Sequence, residues 1–281
     1  MEEVLIYQGR AGDRNPRGIL GAERVGSALA QRMNVSPVTI GRALAPLWGS
    51  WAEELSSARH DLTLLADHVS RSLANGKRPV TTMGRCAAAL ATLPVIARFH
   101  PDARIVWFDA QADSNTPDTS TSGYLGGMVL TGAAGMWETG LGGTLDLGRV
   151  ILVGARDIDP PEQELIRSGR LQLIPPGTDC IRALSAALGK SPVYVHLDCD
   201  VLEPGIVPTE YRVPGGLNLQ QLQLAFEALA ERDVLGLEIA EFESSRDDCQ
   251  GPESPEALLD AVQPVFNSQR RARRDTKTSS S

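Results

Sequence analysis

Short β-branched or apolar runs recur along the chain with helix-like spacings between them: Val4–Tyr7, Val80–Thr82, Arg104–Phe108, Val150–Val153, Leu171–Ile174, Val193–Leu197 and Leu235–Ile239. Strands that alternate with helices must run the same way, because each returns through a crossover long enough to hold the helix. The pattern therefore predicts an α/β fold, a three-layer α-β-α arrangement around a central, mostly parallel sheet. Between the runs, Leu55, Leu62, Leu65 and Val69 mark one helical face over Trp51–Ala74, which stops at Asn75-Gly76. Leu222, Ala225, Phe226 and Leu229 mark a second helix, entered through Asn218.

No linker-like stretch divides the 281 residues into two cores, so a single domain is expected over 1–268, with a polar, disordered tail over 269–281. Apolar residues make up 42% of the chain and charged residues 22%, enough to build a sizeable core. A net charge of −8 argues against a phosphate-backbone partner, since nucleic-acid binding needs a clustered basic surface, and it suits a small cationic substrate. The only basic cluster, Arg270-Arg271-Ala272-Arg273-Arg274, runs into Thr and Ser and reads as a solvated end. Met1-Glu2-Glu3-Val4 has no signal-peptide character, and no segment is apolar enough to span a bilayer, so a cytoplasmic location without membrane contact is expected. The four cysteines (Cys86, Cys180, Cys199, Cys249) lack paired spacing and read as reduced thiols.

Parallel sheets bind ligands beyond the carboxyl ends of their strands. Here those ends carry chemistry. Val80–Thr82 leads to Met83-Gly84-Arg85-Cys86, and Arg104–Phe108 to Asp109-Ala-Gln111-Ala-Asp113. Val193–Leu197 leads to Asp198-Cys199-Asp200, and Leu235–Ile239 to Glu241. Asp198 and Asp200, two apart on an extended strand, are expected to share a face, with Cys199 turned the other way into the core. An isolated Asp-x-Asp is as readily a turn or a cap. Two acid pairs, each ending a hydrophobic strand, favour divalent cations, because carboxylates that close repel one another unless a cation or proton intervenes. An oxygen-rich set suits Mn²⁺ or Mg²⁺ better than structural Zn²⁺, and a metal pair supplies hydroxide at neutral pH and polarises the group under attack.

Asp109-Ala-Gln-Ala-Asp113, followed by Ser114-Asn115-Thr116-Pro117, resembles the Asp-Ala-His-x-Asp signature of the ureohydrolases (arginase, agmatinase and formiminoglutamase). Thr121-Ser122-Gly123 is similar to the Thr-Ser-Gly loop of arginases, and Leu197-Asp198-Cys199-Asp200-Val201 to their Phe-Asp-x-Asp strand. The resemblance implies an arginase-like fold and two Mn²⁺ per chain. Asp109 and Asp198 would bridge both ions, Asp113 and Cys86 would complete the first, and Asp200 with Gln111 the second. It further implies that Asp159 and Glu162, within Gly154-Ala-Arg156-Asp157-Ile-Asp159-Pro-Pro-Glu162, receive a substrate α-amino group. Asn115 and Ser122 would hold an α-carboxylate, and Glu241 the guanidino group, so the substrate is expected to be an amino acid. Asp113 would carry a proton to the departing amine.

The chain departs from the family pattern at several of these positions. Cys86 stands where relatives place a histidine, and a metal would keep its thiol deprotonated; outside the family context a buried structural cysteine is the plainer reading. Gln111 replaces a histidine of the second metal and offers only a neutral amide oxygen. Arg85 replaces an acid and has two readings, stabilising a thiolate or facing solvent. Gly126, in Ser122-Gly-Tyr-Leu-Gly126-Gly, replaces the proton-shuttle histidine, with Tyr124 nearby. A general acid is worth ~10²–10⁴-fold, so its absence has to be met by another group, for which Tyr124 is a nearby candidate, be tolerated through the substrate's chemistry, or reflect lost activity. His60, His68 and His100 are expected at the surface. His196 shares a strand face with Asp198, either as a satisfied core histidine or in contact with the site.

These departures resemble the branch of the family that hydrolyses Nω-hydroxy-L-arginine to hydroxyurea and L-ornithine in D-cycloserine biosynthesis. An N-hydroxyl makes a guanidino group less basic, so attack on it calls for less acid assistance. An ordinary arginase and a metal-poor binding relative without catalysis are the alternatives. Few apolar side chains follow Val265, so a monomer is expected over the trimer common among arginase-like chains.

Overall fold

The computed structural model describes residues 1–244 and 254–267. The tail expected over 269–281, with its arginine cluster, and Cys249 lie outside the described residues. The strands are β1 (Glu2–Tyr7), β2 (Val38–Ile40), β3 (Arg78–Thr82), β4 (Arg104–Phe108), β5 (Val150–Val153), β6 (Gln172–Ile174), β7 (Val193–Asp198) and β8 (Val234–Ala240). They form one eight-stranded sheet in the order β2-β1-β3-β8-β7-β4-β5-β6. Every pairing among these strands is parallel. β2 escaped the sequence reading because it is a three-residue edge strand, too short to show a period.

The helices are α1 (Arg17–Met33), α2 (Trp51–Ala74), α3 (Ala89–Phe99), α4 (Val129–Ala133), α5 (Pro160–Arg167), α6 (Cys180–Leu188), α7 (Leu219–Ala230) and α8 (Glu256–Val262). Side-chain alternation along β4 separates the layers. Ile105 and Trp107 pack with α2 and α3 on one face, while Val106 and Phe108 pack with α6, α7 and α8 on the other. The two periodic helices stand where the sequence placed them. Ser50 caps α2, accepting the Glu53 N–H at 3.4 Å, while Glu53 accepts the Ser50 N–H at 2.9 Å. Asn218 and Gln221 cap α7 in the same reciprocal way, at 2.8 and 2.9 Å. No helix among the described residues is long and apolar enough to cross a membrane.

The strand order explains the convergence of the site loops. From β1 the chain builds outward through β3, resumes at β4 and reaches the far edge at β6, then returns to insert β7 and β8 between β3 and β4. The four central strands β3, β8, β7 and β4 are those whose carboxyl ends carry Cys86, Glu241, Asp198 and Asp109. Adjacent strands lie ~4.8 Å apart, so these side chains are delivered side by side.

Helix α1 closes over the same end of the sheet. Gly21 lies so near the strand-exit loop that a β-carbon there would stand 1.6 Å from the Phe242 carbonyl oxygen, one residue beyond Glu241. Gly21→Ala should therefore lower the unfolding free energy by ~1–3 kcal/mol, the usual cost of overpacking, in chemical denaturation; an unchanged midpoint would contradict this packing.

Candidate active site

The acids at the strand ends are held by backbone amides, which both place them and oppose their mutual repulsion. Asp109 Oδ1 accepts the Gln111 N–H at 2.6 Å, and its Oδ2 accepts from Trp107 Nε1 at 2.9 Å. Asp200 Oδ1 accepts the Ala110 N–H at 3.0 Å, and Asp198 Oδ1 accepts the Asp200 N–H at 2.7 Å. This last bond corrects the strand-face expectation. Asp198 ends β7, but Asp200 lies in the 3-10 turn Cys199–Val201, so a turn that folds back onto Asp198 brings the two carboxylates together, not β alternation. Cys199 is buried among the core residues of the other face, as expected.

Ligand atoms of Asp109, Asp198 and Asp200 all lie within 4.8 Å of one another, as do those of Cys86, Asp109 and Asp113, and those of Cys86, Asp198 and Glu241. Burial, then the charge of Asp200, raises the carboxyl pKa values of Asp109 and Asp198 well above the ordinary range. Burial, then the charge of Asp109, does the same to Asp113. Two site acids, Asp113 (φ 47°) and Glu241 (φ 62°), sit in the left-handed region that non-glycine residues seldom occupy. Such backbone persists only where the surrounding structure enforces it.

Cys86 opens a 3-10 turn after β3 and is 2% exposed. Its Sγ donates to Asp198 Oδ2 at 2.9 Å and lies 3.1 Å from His196 Nε2. Burial, then the charge of Asp198, pushes the thiol pKa up, so only a cation beside it would hold it as thiolate. His196 satisfies both expectations: it is buried, stacked on Trp107 at 3.5 Å with its Nδ1 2.7 Å from Glu238 Oε1, and it also touches Cys86. Tyr194 and Thr92 donate to the other Glu238 oxygen at 2.8 and 2.7 Å. His60 is exposed, while His68 and His100 are partly buried.

Gln111 borders the cavity between two acids. With its amide nitrogen inward it donates to Asp200 Oδ2 at 2.9 Å and Asp109 Oδ1 at 3.0 Å. The β5 exit loop supplies the opposite wall. Asn115 Nδ2 donates to Asp159 Oδ2 at 2.9 Å, and Glu162 accepts the Ser114 and Asp159 N–H groups at 2.8 and 3.0 Å, clamping two loops together. Ser122 lies on the cavity margin, its Oγ accepting the Tyr124 N–H at 3.2 Å. The cavity so enclosed has a volume of about 180 Å³. Cys86, Asp113, Asp198 and Glu241 line it together with Tyr124 and Tyr211.

At Gly126 an added β-carbon would lie 2.5 Å from Tyr124 Cε1. The tyrosine ring therefore fills the space into which a side chain at 126 would project.

Sequence reasoning missed several groups around the site. Arg156 donates to the backbone carbonyls of Val213, Asp200 and Gly154 at 2.7, 3.0 and 3.0 Å, pinning the Asp200 turn. Its place in the Gly154–Glu162 motif was visible, but its carbonyl partners, remote in sequence, were not. Arg85 neither meets the thiolate nor faces solvent. At 1% exposure it pairs with Asp13, Glu210, Glu241 and Glu243, of which only Glu241 carried a sequence signal.

Comparison with known proteins agrees with this geometry. Residues 10–254 match the model of the Arginase family. The chain is 38% identical over 267 residues to the N(omega)-hydroxy-L-arginine amidinohydrolase of Streptomyces lavendulae, covering 95% of this chain and 98% of that protein. Its fold is similar to the crystal structure of arginase from Bacillus cereus, with a TM-score of 0.79 at 22% identity over 95% of this chain and 98% of that one. It is also similar to proclavaminate amidino hydrolase from Streptomyces clavuligerus, with a TM-score of 0.69 at 17% identity over 94% and 89%. A family match across most of the chain, joined to acids gathered at the strand ends of an arginase-like sheet, shows that this protein belongs to the arginase family of ureohydrolases.

Proposed function

We propose that the protein hydrolyses Nω-hydroxy-L-arginine to hydroxyurea and L-ornithine, using two Mn²⁺ per chain. The observation that carries this reading is the Cys86 thiol set into the acid cluster 2.9 Å from Asp198. The similarity to the Streptomyces lavendulae amidinohydrolase supports the substrate. The protein is proposed to act as a cytoplasmic monomer on a free amino acid, without nucleic-acid or membrane partners.

The side chains fit a cation pair. Buried carboxylates of one sign gathered within 4.8 Å, with raised pKa values, are a donor set short of positive charge. Asp109, Asp113, Asp198, Asp200 and Cys86, with the Gln111 amide turned oxygen inward, would hold the two ions. A divalent pair supplies Lewis acidity that readies water for attack at neutral pH and polarises the group attacked. Glu241 orients the hydroxyguanidino group in the cavity. Asp159 and Glu162 receive the α-amino group, and Asn115 and Ser122 the α-carboxylate. As the guanidino carbon gains its bond to the water oxygen and loses its bond to the ornithine nitrogen, Asp113 carries a proton from that water to the nitrogen. Tyr124 lines the cavity and replaces no proton carrier in this scheme, and the less basic hydroxyguanidino group eases the attack on its carbon.

After reconstitution with Mn²⁺, kcat/KM for hydroxyurea from Nω-hydroxy-L-arginine should exceed that for urea from L-arginine by at least about tenfold. A hydroxyl recognised by hydrogen bonding discriminates at least that strongly. A preference for arginine would reject the assignment. Cys86→His should keep metal and activity, while Asp198→Asn should leave fewer than two tightly bound Mn²⁺ and lower activity by at least ~10²-fold, since even groups that only support metal ligands cost 10–100-fold when removed. Two retained ions in Asp198→Asn would contradict its role as a metal ligand.

Removing the metal makes a pH prediction. Burial raises Asp13 to about 6 and Glu241 to about 7, and holds Asp109, Asp113 and Asp198 above the ordinary carboxylate value of about 4. The folded chain thus binds more protons than the unfolded one. Stability from Asp13 and Glu241 is fully present below about pH 4 and is lost as pH rises through their folded values of about 6 and 7, and the raised Asp109, Asp113 and Asp198 add to it in the same direction. The Tm of chelator-treated protein should fall between pH 5 and 8, and Mn²⁺ should raise it more at pH 8 than at pH 5. A flat profile without metal would show that the cluster does not carry this charge.

A further inference from the structure

The most deeply buried cation near the site is committed to the acid assigned above to the substrate. Arg85 Nη1 is bonded to Glu241 Oε2, and the other Glu241 oxygen, Oε1, accepts the Cys86 N–H at 3.2 Å. Around the rest of the guanidinium stand Glu210 at 2.6 Å, Glu243 at 2.9 Å and Asp13 at 3.6 Å, and Arg17 also holds Glu243, at 2.8 Å. Glu241 borders the cavity and Arg85 lies behind it.

A guanidinium is recognised most strongly when its planar fork meets both oxygens of a carboxylate, each free to accept. Here both Glu241 oxygens already have protein donors, one of them from a guanidinium that cannot be deprotonated. We propose that Arg85 is a specificity-determining residue that acts through Glu241: it neutralises the carboxylate from inside the protein, so the site disfavours cationic guanidinium and accepts the less basic, uncharged hydroxyguanidino group. This inference rests on the assignment of Glu241 to the amidino end of the substrate.

An arginine side chain held by four acids could serve stability alone, so the test reads discrimination. In the Mn²⁺-loaded protein, Arg85→Gln should lower the Kd of L-arginine, measured by calorimetry, by at least tenfold. The KM for Nω-hydroxy-L-arginine should move less than threefold, and any change in its kcat should leave that KM in place. Glu210 is a third exposed and lies outside the cavity lining. Glu210→Gln keeps Arg85 while leaving more of its charge uncompensated, and should raise the Kd of L-arginine about threefold with the hydroxyarginine KM unchanged. Should Arg85→Gln fail to fold, the Glu210 variant decides. Arginine affinity that stays constant in the folded variants, or that shifts in step with hydroxyarginine, overturns the role of Arg85. A wild-type protein that forms no hydroxyurea sinks the proposed substrate instead, and the arginine Kd values still judge Arg85.

Discussion

Mutual repulsion among buried carboxylates is the constraint around which this end of the molecule is organised. Asp109, Asp198 and Asp200 could not approach within 4.8 Å in a low-dielectric interior without compensation, and the chain supplies part of it with its own backbone. The N–H groups of Ala110, Gln111 and Asp200 point at the acids, and the Trp107 indole adds a fourth donor. Hydrogen bonds place the oxygens but bring only partial charge, so the pKa values stay raised. The proposed cation pair would finish a compensation that the fold begins.

Much of this was legible in the sequence because it follows from periodicity and strand ends. Trp51–Ala74 and its stop at Asn75 were readable from apolar spacing and from the Asn75-Gly76 signal just past the helix's last residue. The long strands were readable from their β-branched runs, whereas β2, only three residues at an edge, carries no comparable pattern. The acids after β4, β7 and β8 were legible as site candidates because their runs end on them. Asp200 shows the limit of that reasoning. Its alignment with Asp198 was expected from strand alternation and comes instead from a 3-10 turn closed by one side-chain-to-backbone bond. Spacing of two suits either geometry, so the right neighbours were inferred from the wrong local structure.

The groups that escaped the sequence are those defined by partners remote along the chain. Asp13 precedes α1, Glu210 lies in the loop before α7, and Glu243 follows β8, so nothing local marks them as a cage for Arg85. Arg156 is similar, because backbone carbonyls carry no residue identity and leave no trace in composition. Gly126 and Tyr124 lie two apart and were both noticed, yet their steric relation is visible only when a β-carbon is placed at 126.

The departures at Cys86, Arg85 and Gly126 form a coherent set in the folded protein. Cys86 and Arg85 are adjacent in one tight exit from β3, so the thiol reaches Asp198 while the guanidinium turns back to Glu241. Tyr124, filling the space beside Gly126, lines the cavity with Arg14 over its ring at 5.2 Å. The site has no imidazole at position 126 and keeps a permanent positive charge behind Glu241. In the proposed reaction the departing ornithine nitrogen needs a proton in either case, and a less basic guanidino group eases only the attack on its carbon. The carboxylate that borders the cavity is thus met from the protein side by a permanent cation, which is the charge arrangement on which the proposed preference for a less basic amidino group depends.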